Sequence, residues 1–165
     1  MVLGMSLSAF TMLHVALSLI GIVTGLTVMF ALLGSRRKPG WTAAFLLSTI
    51  LTSATGFLFP FTKVLPSHMV GIVSLVLLAV AVIALYLFRL AGPWRWIYGL
   101  AAMISLYLNI FVLIIQGFLK VGALKALAPT QTEPPFLVVQ GLTLAFFVVV
   151  LIGVARRFRP VPALA

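Results

Sequence analysis

His14 and His68 are the side chains best suited to chemistry in a chain that holds a single acidic residue and no cysteine. A neutral imidazole can ligate a metal, relay a proton or accept a hydrogen bond. Haem b needs two axial groups on facing helices, and the chain offers two imidazoles for them. Met12 and Met69 stand close to the histidines in sequence, and thioether with imidazole suits copper(I). A quinone contacted by the same rings completes the redox reading. Other chemistries fail on supply. No G-x-S-x-G elbow serves a serine nucleophile. No glycine-rich phosphate loop is present. Glu133 lies outside every long apolar run, so carboxylate-driven proton or sodium coupling inside a membrane lacks its carboxylate. These residues read as a binding constellation rather than an enzyme's.

Polar residues around the histidines fall on helical stripes. Thr11, His14, Ser18, Gly21 and Gly25 recur at spacings of three and four, which places them on one helix face. Gly21 and Gly25 form a small-xxx-small pair that admits close approach of another helix. A second stripe runs through Tyr98, Ala102, Ser105, Asn109, Gln116 and Lys120. Thr52 and Ser53 within "TSATG", Ser67, Gly71 and Ser74, and Gln140 with Thr143 add hydroxyls and amides from other segments. An amide in hydrocarbon must find partners, so these faces are expected to point inward. Ser67 is expected to cap a helix that begins at His68. Lys120 is expected to snorkel to the surface, with a pair to Glu133 as the sharper reading.

The elements that must position these groups follow from composition. Hydrophobic residues make up 64% of the 165 and charged residues 7%, against about 25% charged in soluble domains. No soluble core of this size hides so much apolar surface, which makes lipid the solvent. Charged residues are absent before Arg36 and from 39–62, 64–88, 96–119 and 134–155. A spanning helix needs about 20 apolar residues. The expected fold is therefore all-α: one integral membrane domain of five transmembrane helices near 8–33, 41–59, 68–90, 95–119 and 136–155, with a long loop at 121–135.

The net charge of +10 is unevenly placed. Arg36, Arg37, Lys38, Arg89, Arg95, Arg156, Arg157 and Arg159 fall on one side of the spans, and Lys63, Lys120 and Lys125 on the other. Such a bias marks the cytoplasmic side, so the N-terminus is expected outside and the C-terminus inside, in a membrane of the bacterial cytoplasmic type. The bases flank spans rather than forming an aromatic–basic patch, which argues for lipid head groups and against nucleic acid. In this orientation His14, His68, Thr52, Ser53, Gln116, Lys120, Glu133 and Gln140 gather in the outer half, as an outward-facing polar pocket.

Three functional readings follow from that pocket: a redox protein binding haem b, copper or a quinone through His14 and His68; a carrier or binder of a small amphiphile or lipid with 121–135 as its lid; and a non-catalytic subunit of a homo-oligomer or larger membrane complex. "GIVTGL" (21–26) and "GIVSLV" (71–76) also suggest two repeated hairpins, spans 1–2 and 3–4.

Overall fold

The computed structural model describes residues 2–60 and 66–159. They form α1 (Leu7–Leu33), α2 (Pro39–Gly56), α3 (Pro66–Val82) running on into a five-residue π turn (Ile83–Leu87), α4 (Trp94–Lys120), the short α5 (Gly122–Leu127) and α6 (Pro134–Arg157). Four helical segments are long and apolar enough to cross a membrane: Leu7–Leu33, Ser67–Leu87, Trp94–Lys120 and Pro134–Arg157. The segment expected as a fifth, α2, is not among them. It has 18 residues, about 27 Å at about 1.5 Å per residue, and it carries the hydroxyls of Thr42, Ser48, Thr49, Thr52, Ser53 and Thr55.

Helix ends follow local chemistry. The Ser6 side chain caps α1 by accepting from the Ala9 amide at 3.2 Å. Prolines start α2 and α6, where the missing N–H costs nothing. Pro66 likewise opens α3, so His68 is its third residue and Ser67 lies inside the helix rather than capping it. The helix starts two residues earlier than expected, because proline already has the required φ. After α1 the chain reverses through Ser35 at φ 53°, with the Arg36 amide donating to the Ala31 carbonyl at 2.8 Å. The third span, expected to reach residue 90, instead ends in the π turn. Arg89 and Leu90 then adopt φ of 48° and 62° and turn the chain toward α4, while Phe88 stacks on Trp94 at 3.9 Å.

The 121–135 segment is partly helical through α5 rather than an open loop.

Consecutive long helices run antiparallel, and α4 is the hub, packed against α1, α2, α3 and α6. The closest packing occupies one half of the bundle. Phe45, Leu78, Ala81, Ala102, Met103 and Leu106 are fully buried there, near the end that bears Arg36, Arg37 and Lys38. The other half contains the hydrogen-bonded side chains of His14, Ser18, Thr55, Asn109 and Gln140. Large apolar residues such as Phe30, Leu142 and Val149 are exposed on the outside, as contact with a lipid bilayer requires. Lys63, assigned by sequence to the sparsely charged side, lies outside the described residues.

Candidate functional site: a polar seam between the first, second and fourth helices

The face predicted on α1 is the one that meets α2 and α4. Gly25 lies deepest: a Cβ there would stand 2.6 Å from Leu106 and 2.9 Å from the Phe45 ring. One turn earlier, a Cβ on Gly21 would stand 2.9 Å from the Thr49 hydroxyl and 3.1 Å from the Asn109 amide nitrogen. Hydrogen on both residues is what lets α1 press against its neighbours.

Polar bonds begin just beyond this contact. The Ser18 hydroxyl donates to Asn109 Oδ1 at 2.7 Å, and Asn109 Nδ2 returns a longer bond of 3.4 Å to the Ser18 carbonyl. Four residues before Ser18, His14 Nδ1 lies 2.9 Å from Thr55 Oγ1. The Thr55 hydroxyl also reaches the Leu51 carbonyl at 2.7 Å and the Thr52 carbonyl at 3.1 Å. With its one proton given to a carbonyl, Thr55 accepts from an imidazole protonated at Nδ1, and that tautomer leaves Nε2 with its lone pair. Phe59 packs edge-on against the same ring, with centroids 5.2 Å apart, and Phe10 packs on Phe59 at 4.9 Å.

Two hydroxyls of this region are buried without a partner, those of Thr49 and Thr52. They lie one turn apart on α2, and Thr49 faces Gly21 directly. A buried unsatisfied hydroxyl is unusual, since such groups cost free energy when unpaired.

The remaining candidates gather elsewhere at the same end. His68 is buried and packs on Phe57, with ring centroids 5.6 Å apart. Gly71 makes room for that ring, its absent Cβ lying 3.1 Å from Phe57, and the Ser53 carbonyl is behind it. Toward α6, Gln140 Nε2 donates to the Phe111 carbonyl at 3.2 Å, while Gln140 Oε1 is buried without a partner. Gln116 is half-buried and Lys120 is exposed on α4. Glu133 turns to its own loop: its carboxylate accepts from the Thr130 amide at 3.1 Å, the Thr130 hydroxyl at 2.8 Å and the Thr132 amide at 3.1 Å.

The ten residues singled out from the sequence thus form three groups at one end of the bundle. His14, Ser18, Thr52 and Asn109 line the α1–α2–α4 seam. Ser53 and His68 belong to the α2–α3 contact. Gln116, Lys120, Glu133 and Gln140 lie along α4 and α6. Thr49 and Thr55 escaped the sequence reading as individual partners, although Thr49, Thr52 and Thr55 repeat at an interval of three, one face of a helix. Among the described residues, no group of three or more His, Cys, Asp or Glu side chains gathers. No protein-family model matches the chain, and neither a curated protein nor a solved structure shows significant similarity to it.

Proposed function

We propose that this is a membrane-embedded binding protein that takes a small amphiphile of the quinone class, its head group held by His14 in the α1–α2–α4 seam. The observation that carries this reading is the orientation of His14. The 2.9 Å contact with Thr55 supports the tautomer protonated at Nδ1, in which Nε2 accepts from a ligand hydroxyl such as that of a quinol. Unpartnered hydroxyls on Thr49 and Thr52 supply donors for a ligand oxygen close by.

The accompanying topology has α2 as a fifth, shorter span, the N-terminus outside and the C-terminus in the cytoplasm of a bacterial cell. Its support is the charge pattern: eight bases, from Arg36 to Arg159, flank the helix ends at one side of the bundle. The seam then opens toward the extracytoplasmic side.

Calorimetric titration of the detergent-solubilised chain with a short-chain quinol tests the proposal. Binding is expected in the native sequence, weakened at least about ten-fold in His14→Leu and in Thr55→Val, the order of one lost hydrogen bond to a buried polar group. It is expected to persist in His68→Leu. Absence of binding to the native chain would refute the quinone assignment.

A second reading has His14 and His68 as axial ligands of haem b, or as part of a copper(I) site. It rests on the same bond, because metal-bound imidazoles characteristically donate their other nitrogen to an oxygen. A Soret band or stoichiometric copper in the protein as purified from membranes, abolished in both His14→Leu and His68→Leu, is the result that favours it over the quinol.

A further inference from the structure

The opposite end of the bundle holds a cleft open to solvent at its mouth. Its walls come from four places: the α1–α2 turn, the π turn after α3, the start of α4 and Phe158 beyond α6. The mouth is basic, lined by Arg36, Arg37 and Lys38 in succession. Apolar side chains such as Leu32, Leu85 and Leu90 line the interior, with the buried hydroxyl-bearing Thr42 and Tyr98 among them.

Three adjacent cations repel one another, and among the described residues no carboxylate lies beside them. The single acidic side chain, that of Glu133, lies at the far end with its carboxylate occupied by Thr130 and Thr132. The described residues thus leave the three bases open to an anion from outside. The backbone shapes the space for it. Ser35 in the left-handed region presents the three bases, while Leu90, also left-handed, lines the interior. The π turn, a geometry often found at functional sites, contributes Leu85 and Tyr86.

We infer that this cleft seats an anionic phospholipid, its phosphate between Arg36, Arg37 and Lys38 and the start of an acyl chain along the Leu32–Leu85 wall. Guanidinium forks match phosphate oxygens, and basic pockets between membrane helices recognise head groups in this way. The apolar interior distinguishes this from a site for free phosphate, which would gain nothing from Leu32, Leu85 and Leu90. Tyr86, 58% exposed at the rim, continues the wall onto the lipid-facing surface. The inference is independent of the His14 seam, which lies at the other end.

Native mass spectrometry of the full chain in detergent, incubated with equimolar phosphatidylglycerol and phosphatidylcholine, tests it. Phosphatidylglycerol should be retained about ten-fold over phosphatidylcholine, as one or two effective basic contacts would give. The triple variant Arg36→Gln/Arg37→Gln/Lys38→Gln should lose that preference. Arg156→Gln/Arg157→Gln, which removes charge from the same end outside the cleft, should keep it. Tyr86→Glu places an anion at the rim without removing a base, and should abolish the preference while leaving the thermal midpoint in lipid-free detergent unchanged. Equal losses in the triple variant and in Arg156→Gln/Arg157→Gln would overturn the cleft as the site, as would an unaltered preference in Tyr86→Glu. Displacement of the lipid by millimolar inorganic phosphate would overturn the amphiphile.

Discussion

Ser18 and Asn109 exchange hydrogen bonds across the α1–α4 contact, and the two partners are unequal in what they leave behind when removed. Ser18→Ala strips Asn109 Oδ1 of its short donor while the amide stays buried, so a loss of about 1 kcal/mol is expected, within the range for hydrogen bonds between membrane helices. Asn109→Leu leaves only a hydroxyl that can turn to a carbonyl of its own helix, a smaller penalty. The double variant should lose less than the sum of the two, because the pair acts as one unit. Unfolding by denaturant in mixed micelles measures all three, and strict additivity would show that the bond contributes nothing. At this scale the sequence was informative where spacing carried meaning: His14, Ser18, Gly21 and Gly25 did face protein, while Thr11 turned its hydroxyl to the Leu7 carbonyl of its own helix. It was silent on pairings. That His14 bonds Thr55 while His68 rests on Phe57 depends on how α2 is rotated between α1 and α3, and helical period alone does not fix that angle.

Among the elements, the segment between α4 and α6 has its own titration. Burial alone would raise the Glu133 pKa, but hydrogen bonds from Thr130 and Thr132 outweigh it and hold the carboxyl below the usual glutamate range. A depressed folded-state value means that the ionised form stabilises the turn. That stabilisation is fully present above the ordinary glutamate pKa and disappears as pH falls through the lowered one. Amide exchange at Thr130 and Thr132 should therefore be protected at neutral pH and should open as acid is added. In Glu133→Gln the same amides should exchange at rates without that acid-linked step. A wild-type profile identical to that of Glu133→Gln would contradict the assignment. Helix positions were legible in the runs free of charge, to within a few residues at most ends. What was not legible were the places where backbone geometry departs from a plain helix. Nothing in "VIALYLF" announces a π turn, since its residues are as apolar as those before it. Lipid rewards both geometries equally so long as each backbone group is paired. The shortness of α2 was likewise masked, because "FLF" extends the apolar run past the point where Gly56 ends the helix.

The whole molecule is divided along its length, with dense apolar packing near the basic end and hydrogen-bonded polar groups near the other. Composition alone established that it is helical and apolar enough to lie in a membrane. The proposed direction in the bilayer rests on charge placement, and reporter fusions check it. A cytoplasm-active reporter should work when fused after residue 38 or after residue 159, and an export-dependent one when fused within α5. The reverse pattern would move the His14 seam to the cytoplasmic side, and the basic cleft to the outer leaflet. No sequence signal pointed to the cleft itself, because its walls come from four separated stretches, and only the run of three bases was visible beforehand.

The Arg159 amide donates to the Ser35 hydroxyl at 2.8 Å, fastening the tail of the final helix to the first turn of the chain. Phe158 beside it, packed at 6.2 Å from Tyr98, is the last-synthesised wall of the basic cleft. Ribosomal synthesis delivers these residues only after the earlier helices have left the tunnel. The compartment at that end is accordingly closed only once Phe158 joins walls that the earlier helices already supply.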